Sequence, residues 1–201
     1  MQITLNNGPL DIDGIDENVS VLELVDLVEG SLQGTGSTIV RIFLDGKEFS
    51  AENREKLQQE KLMAYEKAQL VAATAADLIV EAFSDSTEIL LHLEDITMEA
   101  ASELRVGQIR PALTKFLEIL NGLDWFVTII KNADIAFAAK MAETAYENER
   151  QGLIARVCEQ ISAAEAAQKA EDWVGVADIA EYEFCEIFKA ARKFIASLMK
   201  E

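Results

Sequence analysis

Apolar positions change their period along this chain. In the first third they come in short runs broken by turn residues, and afterwards they recur every three or four positions to the C-terminus. Gln2 to Leu5 alternates as a strand does, and Asn6-Asn7-Gly8-Pro9 supplies turn chemistry. Leu10, Ile12 and Ile15 continue the apolar pattern into a second strand, which predicts a hairpin. Ser20 is placed to cap a helix whose apolar face is Val21, Leu22, Leu24, Val25 and Val28, with Glu23 and Asp26 early in it. The β-branched run Ile39 to Leu44 predicts another strand, closed by the turn Asp45-Gly46. A short helical piece spans about Glu52 to Glu60. Leu70 to Ala73 reads two ways. As an apolar run it is a last strand, whereas Leu62, Tyr65, Ala68, Ala72, Ala75 and Ile79 recur at helical spacing through it.

From Thr74 the period is helical. Thr74 followed by Asp77 is a cap with an acid in the first turn. Ile79, Phe83, Ser86, Leu90, Leu93, Thr97, Ala100 and Leu104 then form an unbroken seam, which predicts one long helix packed at a shallow angle. Gly107 ends it, and Pro111 suits the first turn of the next helix. That second helix would bury Leu113, Phe116, Leu117, Leu120, Leu123, Val127 and Ile130, with Gly122 marking close packing or a kink. Ala133 to Asn148 is alanine-rich and fits either an extension of the third helix or a separate short one. Leu153, Val157, Ile161 and Ala164 define the third helix, and Asp172 caps a fourth. In the fourth, Trp173, Ala177, Ala180, Phe184, Ile187, Phe188, Ala191, Phe194 and Leu198 fall within about 120° at uniform helical pitch.

The order strand, strand, helix, strand, short helix, strand resembles the β-grasp, or ubiquitin-like, fold, in which one helix crosses a mixed sheet. Four long helices with short connections predict an antiparallel bundle. The expected fold class is therefore α+β, with a small β-grasp-like domain over residues 1–73 and an antiparallel four-helix bundle over residues 74–201. Two phrases, Thr38-Ile-Val-Arg-Ile-Phe-Leu-Asp-Gly46 and Asp172-Trp-Val-Gly-Val-Ala-Asp-Ile-Ala-Glu-Tyr-Glu183, resemble segments of small acidic bacterial proteins of unknown function. That resemblance implies no activity or site.

Charge narrows the partners. The 201 residues hold 36 acids against 18 bases, a formal net charge of −18. Residues 1–74 carry −7 and residues 75–201 carry −11, so no basic domain hides in either part. Binding to nucleic acid requires lysine and arginine to displace phosphate counterions, so nucleic acid is not an expected partner. An anionic membrane surface is disfavoured for the same reason, and no apolar run approaches the roughly 20 residues of a membrane span. The first ten residues lack the basic and apolar regions of a secretory signal, which leads to the expectation of a cytoplasmic protein.

The chemistries a helical bundle could host fail on residue supply. A di-iron carboxylate site needs two Glu-x-x-His pairs, but His92 is the only histidine and Ile89 stands three residues before it. No ligand spacing joins His92 to Cys158 and Cys185 as a zinc site. At uniform pitch Cys185 lies about 120° from the core stripe, which predicts an accessible thiol with Lys189 one turn away, and Cys158 would lie nearer the core. Gly34-Thr35-Gly36-Ser37-Thr38 runs from helix to strand, the reverse of a phosphate loop. Asp178, Glu181, Glu183 and Glu186 scatter around their helix rather than pairing for hydrolysis. No catalytic residue, metal ligand or cofactor is expected.

Interaction chemistry remains. Tyr182 projects about 180° from the core centre, beside Asp178 and Cys185; either these three form a partner surface or Tyr182 packs against the N-terminal domain. The expected function is a non-enzymatic protein–protein interaction or chaperone-like adaptor, and the acidic balance predicts a basic partner. Small acidic helical chaperones of bacterial secretion and flagellar export share this composition. Homo-oligomers are compatible with it. The alternative is a small apolar ligand held between helices in a pocket lined by Trp125, Phe126, Trp173 and Phe184.

Overall fold

The computed structural model describes residues 1–12, 18–50 and 53–200, so the expectations for Ile15 and Glu52 lie outside the described residues. The chain divides into two compact units, Met1–Leu78 and Ile79–Glu201. It is a mixed α+β structure, with a five-stranded sheet in the first unit and helices throughout the second.

In the first unit, strands β1 (Gln2–Leu5) and β2 (Gly8–Pro9) form a hairpin. Asn6 and Asn7 both take positive φ, 47° and 67°, as a two-residue hairpin turn demands. The second strand is far shorter than the pattern predicts. Pro9 has no N–H to extend the ladder, so only one further bond follows, from Leu10 N–H to the Ile3 carbonyl at 3.0 Å. Leu10 and Ile12 instead lean on the core as partly buried side chains. Helix α1 (Val21–Ser31) starts at a capping box: Glu23 N–H donates to Ser20 Oγ at 3.2 Å and Ser20 N–H donates to Glu23 Oε2 at 2.7 Å.

Strand β3 (Ser37–Leu44) turns back through Asp45-Gly46 into strand β4 (Lys47–Ser50), which the hydrophobic pattern does not reveal. Its sequence, Lys47-Glu48-Phe49-Ser50, carries one apolar residue, and that residue is buried. After helix α2 (Arg54–Gln59) and a 3-10 turn at Leu62–Ala64 comes strand β5 (Lys67–Thr74). This resolves Leu70 to Ala73 as strand. β5 sits at the centre of the order β2-β1-β5-β3-β4, parallel to β1 and antiparallel to β3. Val21, Leu24, Val25 and Val28 of α1 share one buried core with Ile3, Ile39, Ile42, Leu44, Ala68 and Leu70 of the sheet.

Helix α3 (Ala75–Arg105) follows β5 without a connecting residue. Thr74 and Asp77 cap it reciprocally: Thr74 N–H donates to Asp77 Oδ2 at 2.9 Å, and Asp77 N–H donates to Thr74 Oγ1 at 3.1 Å. Its expected seam is buried from Phe83 to Leu104. The two hydroxyls in that seam donate to their own backbone, Ser86 to the Ala82 carbonyl and Thr97 to the Leu93 carbonyl, each at 2.6 Å. Gly107, at φ 78°, ends the helical run, and Pro111 lies in the first turn of α4 (Ile109–Lys131).

The buried face of α4 differs from the expected stripe. It consists of Ala112, Phe116, Ile119, Leu123, Phe126, Val127, Ile129 and Ile130, while Leu117 is 61% exposed and Leu113 and Leu120 are intermediate. α4 is apolar on two adjoining faces, so spacing alone did not choose between them. Gly122 marks a close approach to α3, since a Cβ there would stand 2.4 Å from Leu93 Cδ1. Ala133 to Asn148 divides into helix α5 (Ala133–Met141) and the start of helix α6 (Thr144–Lys169). Helix α7 (Trp173–Asp178) begins at Asp172, whose Oδ1 accepts from Gly175 N–H at 2.9 Å. It continues through a π-helical turn, Ile179–Phe184, into helix α8 (Cys185–Met199). Phe116, Phe126, Leu153, Val157, Phe184, Phe188 and Phe194 meet in one core drawn from α4, α6 and the α7–α8 run.

Candidate functional site

The π turn is the one departure from uniform helical pitch in the second unit that carries predicted site residues. Its bonds span five residues instead of four, so each residue advances by less than the α-helical angle. A single such turn inside a helix accommodates one extra residue, and such turns occur often at functional sites.

Two arginines from other helices grip it. Arg105, the last residue of α3, donates from Nη2 to Asp178 Oδ1 at 2.8 Å and pairs through Nη1 with Glu181 Oε2. The hydrogen bond to Asp178 and then that to Glu181 hold the guanidinium above its usual pKa. Asp178 is the last residue of α7 and Glu181 is inside the turn, so one side chain spans their junction. From α6, Arg156 lies 3.8 Å from Glu183. One turn beyond, Glu94 of α3 accepts from Arg192 at 2.7 Å and lies 3.8 Å from Lys189, which ties α8 to α3.

Of the expected partner surface, Tyr182 stands 59% exposed at the middle of the π turn. Asp178 is exposed and paired with Arg105. Cys185 departs from the expectation, because it is only 3% exposed, while Cys158, expected nearer the core, is exposed. Uniform α pitch does not hold through residues 179–184, where the slower rotation of the π turn turns Cys185 towards the face that α7 buries with Val176 and Ala177. Burial, followed by the charge of Glu94, pushes the Cys185 thiol up to about 11, whereas Lys189 acts in the opposite direction. Lys189 does not activate this thiol, because it is engaged with Glu186 at 2.9 Å.

The four residues expected to line a ligand pocket serve as packing. Phe126 and Phe184 are fully buried, with the Phe184 ring centroid 5.8 Å from that of Phe116. Trp125 and Trp173 pack partly buried against the same core. A cavity of about 330 Å³ in this unit lies elsewhere, between Phe137 and Lys140 of α5 and the Leu198–Lys200 end of the chain. His92 is exposed, with Nε2 3.1 Å from Glu118 Oε1. Among the described residues no cluster of histidine, cysteine and carboxylate side chains has metal-binding geometry, and no helix is long and apolar enough to cross a membrane.

The sequence reading located Tyr182 and the acids, but not the arginines that organise them. Arg105 and Asp178 are 73 residues apart, and no local pattern relates them.

Comparison with known families divides the chain in a similar place. Residues 1–74 match a model described as the TP0873 N-terminal domain. Residues 81–194 match a model described as a domain of unknown function, DUF8042. No curated protein and no solved structure matches the chain. Since the second match covers more than half of its length, the chain belongs to the DUF8042 family.

Proposed function

We propose that this protein is a non-enzymatic adaptor of the bacterial cytoplasm that docks a basic protein partner on the exposed side of the π turn. The observation that carries this reading is Tyr182. A large amphipathic ring stands 59% exposed, held on a turn that two arginines fix in place. Exposed tyrosines on rigid supports make effective interface anchors, because little conformational entropy is lost on contact. Asp178, Glu183 and Glu186 lie within four residues of it, each paired with a cation, on a part of the chain whose net charge of −11 favours lysine- and arginine-rich surfaces.

The two units fit this role as scaffolds. The strand order β2-β1-β5-β3-β4 with α1 on one face supports a β-grasp reading of the first. In the second, α3 is tied to α4 by Lys115 with Glu99 and Glu103, α4 packs on α6, α6 packs on the α7–α8 run, and Arg192 returns from α8 to α3. That circuit supports a four-helix bundle with α5 as an inserted short helix.

The test is affinity capture with the full chain, comparing wild type and Tyr182→Ala at low and high salt. A basic protein should be retained by wild type, weakened at least about tenfold by the substitution, and released by salt. Retention of nothing, or equal retention by the variant, would overturn the proposal.

A further inference from the structure

Helix α4 carries more apolar surface than its core uses. Arg110, Leu113, Leu117, Leu120 and Asp124 alternate spacings of three and four, and at helical pitch they fall within about 80° of one another. Their face lies about 100° round from the buried one, on the side away from Gly122 and α3. Such a seam is what one helix of a pair presents to another. It is open: Leu117 at its middle is 61% exposed, with Leu113 and Leu120 half-buried on either side. Lys115, Arg156 and Arg192 join other helix pairs to carboxylates, whereas Arg110 and Asp124 are exposed and take no ion pair among the described residues.

The charges on this seam are placed symmetrically. Arg110 stands seven residues before Leu117 and Asp124 seven after it, about 10 Å along the helix in each direction. A two-fold interface must complement itself. An axis near Leu117 that brings up a second α4 antiparallel sets Arg110 of each copy opposite Asp124 of the other, with the leucines between them. We infer that the outer face of α4 is a self-association surface, on which a second copy of this chain packs its own α4 antiparallel about Leu117. The leucines supply the apolar burial, and the two charge pairs fix direction and register. Two chains of −18 repel, so they meet favourably only where acid and base balance, as they do here. Helix α3 also exposes Leu91 and Met98, but Asp95 lies between them and its one arginine, Arg105, is already engaged, so a second copy there would meet like charge. The surface uses no residue of the π turn, and its failure would leave the docking proposal standing.

Sedimentation equilibrium of the full chain tests this, in about 0.15 M salt, where a Debye length of about 8 Å screens the repulsion between copies. At about 100 μM the protein should sediment reversibly as two copies. Leu117→Glu sets like charges together at the axis and should raise the dissociation constant at least about tenfold. Its far-ultraviolet circular dichroism should be unchanged, because Leu117 supports no core. Arg110→Glu sets acid against acid twice and should weaken association about tenfold, and adding Asp124→Arg should restore it to within about threefold of the native value. A protein that stays monomeric at that concentration, a dimer indifferent to Leu117→Glu, or a double variant that recovers nothing would each refute the inference. Where Leu117→Glu does not fold, the exchange of Arg110 and Asp124 decides alone, since both side chains are exposed.

Discussion

The two units use polar side chains differently. In the sheet unit those side chains mostly serve the backbone. Asp45 Oδ1 accepts from the N–H groups of both Glu66 and Lys67, at 3.0 and 2.8 Å, and Ser20 and Glu23 satisfy the start of α1. In the helical unit the hydroxyls bond back to carbonyls of their own helix, while charged side chains pair across helices, as Arg105, Lys115, Arg156 and Arg192 do with carboxylates on neighbouring elements. The difference follows from where backbone groups are left unpaired. A sheet with short strands and tight turns exposes donors and acceptors at every reversal, whereas a long helix satisfies its own interior. The side chains of long helices are therefore free to select neighbours and register.

This contrast can be broken at the core first. Phe184→Ala should cost about 3–5 kcal/mol, because it empties a fully buried ring site between α4 and the π turn. Chemical denaturation measures it, and a cost below that of a typical exposed substitution would mean that charge pairs rather than packing hold the helices. The next effect tests the sheet unit. Ser20→Ala removes the acceptor for Glu23 N–H and should cost about 1 kcal/mol. An unchanged midpoint would show that backbone service by side chains matters less there than the contacts imply.

The smallest effect lies where the units' chain segments join, at the cap of α3. Hydrogen bonds from Thr74, the backbone N–H foremost and then the hydroxyl, hold the Asp77 carboxyl below its usual range. A carboxylate whose folded pKa is depressed contributes above its unfolded value, and the contribution is lost as pH falls through the folded one. Acid should therefore loosen the first turn of α3. Thr74→Ala should move the Asp77 midpoint upward in an NMR titration, and an unmoved midpoint would separate the cap from the shift.

How much of this was legible in the sequence depends on the range of the interaction. The caps at Ser20, Thr74 and Asp172 and the stop at Gly107 were legible, because each is decided within about four residues. β4 was not, since Phe49 alone gives no alternation, even though positive φ at Asp45 and Gly46 makes that turn a hairpin turn. Leu117 and Ile119 were exchanged because α4 offers two apolar faces and only the packing against α3 selects one. Tyr182 was placed outward correctly by pitch alone. Cys185, three residues on, was misplaced because one additional residue in a helix has no local signature, and its clamp comes from Arg105 in another helix.

Asn6 offers a different lesson, about solubility. Its side-chain amide accepts from Ala72 N–H at 2.8 Å and donates to the Ala72 carbonyl at 3.0 Å. One side chain thus reproduces both bonds of a missing strand residue after the main chain has turned away from β5. Without it, a donor and an acceptor on a central strand would face solvent as a free template for another copy. The asparagine turn therefore does more than reverse the chain: it blocks edge-to-edge self-association at the point where β1 stops.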